Sequence, residues 1–221
     1  MKVPFRIRSF FYQFFPPVLV FNKMICLLFA ERSFLRRSGY IKSIMLRRPC
    51  RADGSPIPWM NYGVVAFLED RLTRDLSLFE YGSGNSTLFF AQRVKDVVSV
   101  ENNQAWYDYC VKNKPENVKL VFCESDGTEK YAGAIIEEVR RFDVVVIDGE
   151  DRSGCLLKAH ERLTSSGVIV LDDTHNLGTG VRIKDLLEVG FRRLDFEGVK
   201  AGGVRFYRTT ILYRDGNCLG I

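Results

Sequence analysis

From residue 77 onward, short apolar runs rich in β-branched residues alternate with longer segments of helix-like sequence. Runs such as Val144 to Ile147 are apolar at every position, as expected of strands that are covered on both faces of a sheet. This alternation predicts crossover connections between parallel strands. Five runs are predicted as strands: SLFEY, VVSVE, VKLVFC, DVVVID and GVIVLD.

The last two apolar runs differ from the others because no helical segment separates them. FRRLDFEG and TTILYR are joined by VKAGGVRFYR, and this spacing suits a hairpin. The final strand is therefore expected to enter the sheet antiparallel. The whole pattern predicts an α/β fold, with a doubly wound seven-stranded sheet that is mostly parallel and has helices on both faces.

The first quarter of the chain has a different composition. Residues 1–51 contain eleven Lys and Arg against one acid, Glu31, which gives them a charge of +10 in a chain whose net charge is +5. Pro16 and Pro17 interrupt the apolar residues before about 18 of them accumulate, so no spanning helix is predicted. No clear signal-peptide cleavage site follows either. We divide the chain into a basic apolar segment with a linker, residues 1–57, and an α/β domain, residues 58–221.

Three interpretations of the basic segment stay open. Aromatic and aliphatic side chains interleaved with cations suit the surface of an anionic membrane, which gives the hypothesis of peripheral membrane contact. The same apolar residues could instead cover one face of the main domain, with the cations in solvent. Binding to nucleic acid is the weakest interpretation, because the phenylalanines come in apolar blocks and are not singly spaced on a polar surface.

The six cysteines are scattered, with no C-x-x-C pair and no adjacent histidine. This spacing indicates neither a zinc site nor a disulfide framework, and it favours a reducing, cytoplasmic location. The oligomeric state is left open by the sequence.

The sequence EYGSGNS follows the first predicted strand, at the edge where a doubly wound sheet binds its ligand. Gly82 and Gly84 lack a Cβ atom, so the backbone can turn tightly and approach a ligand closely. Glu101 ends the second strand, where a carboxylate can accept hydrogen bonds from a ribose diol. A glycine turn followed by such an acid predicts a nucleoside site.

Two nucleoside cofactors compete for this predicted site. A dinucleotide favours a third glycine, in the pattern G-x-G-x-x-G, because its pyrophosphate rests on the helix N-terminus. Thr87 occupies that third position. Glu80 would repel a nearby phosphate but suits a cationic ligand. An NAD(P)-dependent oxidoreductase is therefore the less favoured alternative.

The turn FEYGSGNS and the strand end SVE resemble the corresponding motifs of the class I S-adenosylmethionine-dependent methyltransferases, with a Rossmann-like fold. The resemblance spans residues 59–214 and implies the sheet order three, two, one, four, five, seven, six, with S-adenosyl-L-methionine as cofactor. It also implies which residues bind the cofactor. The methionine half would be lined by Glu80, Gly82, Ser83 and Gly84. Glu101 would bind the ribose hydroxyls, and Ser125 with Asp126 would meet the adenine edge.

Three acids, Asp148, Asp172 and Asp173, follow the fourth and fifth predicted strands. Converging carboxylates, together with water and a substrate hydroxyl, could form a Mg²⁺ site that lowers the pKa of that hydroxyl. The arrangement resembles the metal-dependent small-molecule O-methyltransferases, which implies these three acids as metal ligands. The alternative is that one of them caps a helix or pairs with Arg152 and no metal binds.

The catalytic candidates are Asp148, His175 and Arg152. His175 could act as a general base, and Arg152 could clamp an anionic substrate or pair with Asp151. Trp59, just before the domain core, suits either a lid over the site or core packing.

We expect methyl transfer to a small-molecule, lipid-linked or glycan-linked acceptor, at a hydroxyl group. Nucleic-acid bases are disfavoured as acceptors, because IDGED lacks the Asn/Asp-Pro-Pro-aromatic run common among enzymes that methylate them. Besides the oxidoreductase, the remaining alternative is a nonenzymatic nucleoside-binding module that docks on a membrane or a partner.

Overall fold

The computed structural model describes residues 16–124, 129–175 and 183–221. The described helices are α1 Pro16–Phe29, α2 Phe34–Arg37, α3 Tyr40–Leu46, α4 Tyr62–Arg71, α5 Asn85–Ala91, α6 Gln104–Asn113, α7 Lys130–Gly133, α8 Arg152–Ala159, which a 3-10 turn His160–Arg162 follows, and α9 Ile183–Glu188. The strands are β1 Ser77–Tyr81, β2 Asp96–Glu101, β3 Val118–Phe122, β4 Phe142–Ile147, β5 Leu163–Leu171, β6 Arg192–Gly198 and β7 Tyr207–Tyr213.

The strands form one sheet in the order β3-β2-β1-β4-β5-β7-β6. Strands β1 to β5 pair in parallel, and β7 pairs antiparallel with both β5 and β6. This confirms the predicted sheet, including the direction of its last strand. The strand order reverses between β1 and β4, so the crevice beyond their carboxyl ends is the expected ligand site.

The central strands are apolar throughout because both of their faces are covered. Along β4, Val144 and Val146 belong to a core cluster on one face, while Val145 and Ile147 belong to the cluster on the other. All four side chains are fully buried. Successive side chains of a strand point to opposite faces, so a strand between two helical layers needs apolar residues at every position.

Strand β5 begins at Leu163, four residues before the predicted GVIVLD. Leu163 is buried, but the three residues after it, Thr164 to Ser166, are polar and partly exposed, so the apolar pattern does not mark this half as a strand. The pairing with β4 also changes register here, because Phe142 faces Leu163 whereas Val144 faces Val168.

The basic segment contacts the domain through its second half. Cys50 and Ile57 are buried, and the Asn85 side-chain amide donates a hydrogen bond of 2.7 Å to the carbonyl of Pro49. Helix α1, by contrast, has no buried residue. The division at residue 57 stays a prediction. None of the helices in the described part of the chain has the length and apolar character needed to cross a membrane.

Asn61 connects α4 to the hairpin of β6 and β7. Its side chain is fully buried, and its Oδ1 accepts a hydrogen bond of 3.0 Å from the Val64 N–H as the cap of α4. Its Nδ2 donates to the Phe196 carbonyl at 3.0 Å and to the Thr209 hydroxyl at 3.1 Å. One side chain therefore fixes the hairpin to the helix that precedes the sheet.

We expect Asn61→Ala to lower the free energy of unfolding by about 2–4 kcal/mol, because it removes a helix cap and a buried polar connection together. The matched control is Asn103→Ala, which removes the side-chain cap that accepts from the Trp106 N–H at the start of α6 and should cost about 1 kcal/mol. Urea denaturation measures both variants. Equal losses would show that Asn61 contributes as a cap alone.

Candidate functional site

The turn after β1 requires a glycine at residue 82 for two reasons. Gly82 has a φ of +92°, in the left-handed region. A Cβ atom on it would also lie 3.1 Å from the backbone of Asp148 and Gly149. The turn after β1 therefore packs directly against the turn after β4.

Thr87 completes this turn from the first helical turn of α5. Its hydroxyl accepts a hydrogen bond of 2.9 Å from the Gly84 N–H and donates one of 2.5 Å to Glu80. A pyrophosphate bound at a helix N-terminus needs free N–H groups. Thr87 replaces the third glycine of the dinucleotide motif and also satisfies the Gly84 N–H.

Glu80 lies behind the turn and not on a cavity wall. Its side chain is fully buried, and its Oε2 also accepts a hydrogen bond of 2.7 Å from the Ser99 hydroxyl. Burial raises the pKa of Glu80 to about 7, against the opposing effect of the hydroxyl groups that donate to it. The resemblance implied a direct contact between Glu80 and the cofactor. In this structure the Glu80 carboxyl group instead accepts hydrogen bonds from Thr87 and Ser99, which stabilise the turn.

The Glu101 carboxylate joins the glycine turn to the loop after β2. Its Oε2 accepts from the Ser83 N–H at 3.1 Å and from the Ser83 hydroxyl at 2.9 Å. Its Oε1 accepts from the N–H groups of Asn102 and Asn103 at 3.0 and 2.9 Å. A carboxylate has about four lone-pair sites, so these four donors saturate it.

A cavity of about 490 Å³ opens beyond the carboxyl ends of β1, β2 and β4. This volume falls in the usual range for small-molecule sites, about 300–1,000 Å³. The cavity brings together five of the residues predicted from the sequence: Gly82, Ser83, Gly84, Glu101 and Asp148. Trp59 also lines it, with 51% of its surface exposed and its indole N–H donating to the Ala201 carbonyl at 2.9 Å.

Sequence reasoning missed several further residues of the cavity wall, among them Trp106 and two arginines. Trp106 donates a hydrogen bond of 2.8 Å from its indole nitrogen to the Ser83 carbonyl, and its position one turn after the acid of β2 was the available indication. Arg47 and Arg48 also line the cavity. The sequence treats them as part of the general positive charge of the basic segment, so no local pattern singles them out.

Two cations hold the acids that follow β4 and β5. Arg152 donates to the Asp148 carboxylate at 3.2 Å, and its guanidinium also lies 3.8 Å from Asp173. The Lys200 ammonium lies 3.1 and 3.2 Å from the two carboxylate oxygens of Asp173. The predicted alternative in which an acid pairs with Arg152 is therefore what the structure shows. Asp151 instead caps α8, accepting from the Gly154 N–H at 3.1 Å.

Asp172 points away from these cations, into the protein. It is fully buried, and its Oδ1 accepts a hydrogen bond from the Thr209 hydroxyl. Burial and the neighbouring Asp173 raise the pKa of Asp172. Burial, with the nearby Asp172, likewise raises the pKa of Asp148 well above its usual range.

These contacts do not fit the predicted Mg²⁺ site. Magnesium needs oxygen ligands in an octahedral arrangement, whereas Asp148 and Asp173 face cationic side chains and Asp172 faces Thr209. Within residues 16–124, 129–175 and 183–221, no group of three or more His, Cys, Asp or Glu side chains could hold a metal ion. The structure therefore gives no support to Mg²⁺ at these three acids.

Solved structures with the same architecture include several methyltransferases, together with a spermidine synthase from Thermotoga maritima. An O-methyltransferase from Bacillus cereus in complex with SAH matches with a TM-score of 0.55 and 16% identity, over 67% of this chain and 78% of that one. The O-methyltransferase TomG from Streptomyces achromogenes, in complex with SAM, matches with a TM-score of 0.54 and 15% identity, over 68% and 77%. The chain has the class I methyltransferase fold.

A precorrin-6y C5,15-methyltransferase from Geobacter metallireducens matches with a TM-score of 0.50 and 18% identity, over 68% of this chain and 86% of that one. Comparison with protein-family models and with curated protein sequences gave no match. At these identities the likeness shows the class I methyltransferase fold, and one fold supports many reactions.

The remaining predicted residues lie away from the cavity or outside the described ranges. His175 accepts a hydrogen bond of 3.3 Å from the Arg208 N–H and packs edge-on against Tyr207, and it is not among the cavity-lining residues. Ser125 and Asp126 lie outside the described residues. Their predicted adenine contacts stay predictions.

The raised pKa of Glu80 predicts a pH dependence of stability. The pKa of Glu80 is 4.5 in the unfolded chain and about 7 in the folded protein. Between these two pH values the folded protein keeps a proton that the unfolded chain loses. The contribution of Glu80 to the free energy of unfolding therefore falls as pH rises through this window, and then levels off. In Glu80→Gln this decrease should disappear, a relative gain of about 3 kcal/mol between pH 4.5 and pH 8.

Urea denaturation at several pH values between 4.5 and 8 measures this difference. Glu116→Gln, which changes an exposed glutamate, serves as the control and should follow the wild-type pH dependence. Parallel curves for wild type and Glu80→Gln would contradict the assignment.

Proposed function

We propose that the protein is an S-adenosyl-L-methionine-dependent methyltransferase that acts on a hydroxyl group of a small-molecule or lipid- or glycan-linked acceptor. The observation that carries the proposal is the cavity in which the Gly82 turn and the Glu101 carboxylate meet. The hydroxyl of Thr87 supports it as well, since it uses the Gly84 N–H that a dinucleotide would need. The SAH and SAM complexes of the B. cereus and S. achromogenes enzymes agree with this assignment.

The residues on the cofactor side fit a sulfur nucleoside. When bound, S-adenosyl-L-methionine supplies an electrophilic methyl group attached to a sulfonium. Gly82 and Gly84 allow its methionine half to approach the backbone, and Glu101 would accept the ribose hydroxyls. For each ribose hydroxyl that it accepts, the carboxylate must release one of its four donors. Ser83 provides the side-chain donor of the four, and rotation of its hydroxyl would free one oxygen lone pair.

Asp148 is the residue we assign to proton removal from the acceptor hydroxyl. It lines the cavity, and its raised pKa brings the carboxyl closer to the range that suits a general base. Arg152 makes its contacts to Asp148 and to the carbonyls of Gly149 and Asp172. We therefore assign Arg152 to positioning Asp148 and not to clamping the substrate.

Thermal shift with four ligands tests the cofactor: S-adenosylmethionine, S-adenosylhomocysteine, NAD and NADP. We expect the two sulfur nucleosides to raise the Tm and the two dinucleotides to leave it unchanged. Glu101→Gln should weaken the binding of S-adenosylhomocysteine at least tenfold, because the nitrogen of an amide cannot accept a hydrogen bond as the second carboxylate oxygen does. Glu150→Gln, which changes another acid of the same cavity, is the matched control and should stay within about twofold of wild type.

The other outcomes identify the alternatives. A Tm increase with NAD or NADP alone would point to an oxidoreductase and end the proposal. Binding of S-adenosylmethionine without transfer of a labelled methyl group to any acceptor extract would favour the nonenzymatic binding module.

We place the acceptor at an anionic membrane surface because of helix α1. This helix exposes eight large apolar side chains, each with 42–69% of its surface accessible: Val18, Val20, Phe21, Met24, Ile25, Leu27, Leu28 and Phe29. Asn22 and Lys23 are polar residues of this helix, and a helix with so much exposed apolar surface needs a covering surface. Residues 16–51 also carry eight Lys and Arg against one acid, and this charge complements anionic lipid headgroups.

Flotation of the full chain with vesicles of phosphatidylserine and phosphatidylcholine tests membrane contact. We expect the double variant Phe21→Glu/Leu28→Glu to reduce the floated fraction at least fivefold, because two carboxylates oppose insertion of the apolar face. The control is Val139→Glu/Val189→Glu, which makes the same charge change at two exposed valines outside the basic segment. If both double variants float like wild type, α1 does not dock on the membrane.

A further inference from the structure

Two arginines at the cavity have no partner in the described structure. Arg47 and Arg48 line the same cavity as Gly82 and Asp148, and both are exposed. Neither guanidinium group forms a hydrogen bond or an ion pair with any residue that the structure describes. Arg152, another arginine at this edge of the sheet, is already engaged by Asp148. The cavity therefore presents two cations that are free to meet a ligand.

The backbone beneath these arginines is held in a fixed and strained form. Arg47 ends α3 with a φ of +52° and a ψ of 34°, in the left-handed region, which costs a residue other than glycine about 1 kcal/mol or more. The buried hydroxyl of Ser43 accepts from the Cys50 N–H at 3.0 Å and can donate to the Gly39 carbonyl at 2.8 Å or to the Cys50 carbonyl at 3.0 Å. On the other side, Asn85 at the start of α5 holds the Pro49 carbonyl. The cations are therefore carried on a rigid loop at the cavity wall.

The charges of the cavity favour an anionic ligand beside these arginines. The carboxylate of Glu101 is saturated by four donors, and Asp148 is paired with Arg152. Glu150 is a further acid of the cavity wall and is exposed to solvent, so the two arginines outnumber it. The guanidinium group matches phosphate and carboxylate through two parallel hydrogen bonds. The half-exposed ring of Trp59 lines the same cavity, where it offers apolar surface to the group that carries the anion.

We propose that Arg47 and Arg48 form a subsite for a phosphate ester on the acceptor. This inference rests on the proposed function, because that function places an acceptor in the cavity. The amino-acid end of S-adenosylmethionine is the competing anion. It carries an ammonium group beside its single carboxylate, and two guanidinium groups would repel that ammonium. A phosphate monoester carries a charge of about −1.5 to −2 at pH 7 and matches two cations better.

The test titrates phenyl phosphate into the full-length protein loaded with S-adenosylhomocysteine, by isothermal titration calorimetry. We expect binding in wild type and at least a tenfold weaker Kd in Arg47→Gln/Arg48→Gln. The control is Arg32→Gln/Arg37→Gln, which removes the same charge from exposed positions of the same segment and should stay within about twofold of wild type. Benzoate should bind more weakly than phenyl phosphate, and phenol should not respond to the substitutions.

Three results would overturn the subsite: no binding of phenyl phosphate to wild type, equal weakening in both double variants, or no weakening in either. A fourth result would show that the arginines bind the cofactor and not the acceptor. In that case Arg47→Gln/Arg48→Gln would weaken the binding of S-adenosylhomocysteine but not that of 5′-methylthioadenosine, which lacks the amino-acid carboxylate. If neither sulfur nucleoside binds but phenyl phosphate without them still distinguishes the two double variants, the proposed function fails and the anion subsite stands.

Discussion

One buried carboxyl group, that of Glu80, holds together the elements that shape the glycine turn at the cavity wall. It extends from β1 and accepts hydrogen bonds from the hydroxyl groups of Thr87 on α5 and Ser99 on β2. The Thr87 hydroxyl in turn accepts a hydrogen bond from the N–H of Gly84. Burying a carboxyl group without partners is costly, so these contacts have to form together. The shape of the turn, and through it the position of Glu101, depends on this arrangement.

The fold was predictable from the sequence because its determinants are local. An apolar run without alternation marks a strand covered on both faces, as in Val144 to Ile147, and the glycine-containing connection before Tyr207 marks a hairpin. The first half of β5 escaped prediction because its contacts are to β4: Leu163 pairs with Phe142, and the Thr164 hydroxyl donates to the Asp143 carboxylate. Local pattern and final structure disagree where a neighbouring strand decides the conformation.

The candidate site was predictable only in part, because its chemistry depends on residues far apart in sequence. Gly82 and Glu101 stand at strand ends, and parallel strands bring those ends together. The partner of Asp173 is Lys200, 27 residues away on the connection between β6 and β7. Asp172 turns inward to Thr209, 37 residues away. Three acids at neighbouring strand ends therefore suggested a metal, whereas the last hairpin supplies the Lys200 ammonium and the Thr209 hydroxyl, and Arg152 of α8 supplies a second cation.

The saturated carboxylate of Glu101 would have a consequence for turnover in the proposed methyl-transfer cycle. A ribose hydroxyl that reached Glu101 would take the place of the Ser83 hydroxyl, so the number of hydrogen bonds to the carboxylate would not change. One hydrogen bond would be exchanged for another of similar strength, whereas an amide at residue 101 would leave a hydroxyl group unpaired. With the carboxylate intact, the spent nucleoside would leave quickly, because the serine hydroxyl would return to Glu101 and restore the turn for the next cycle.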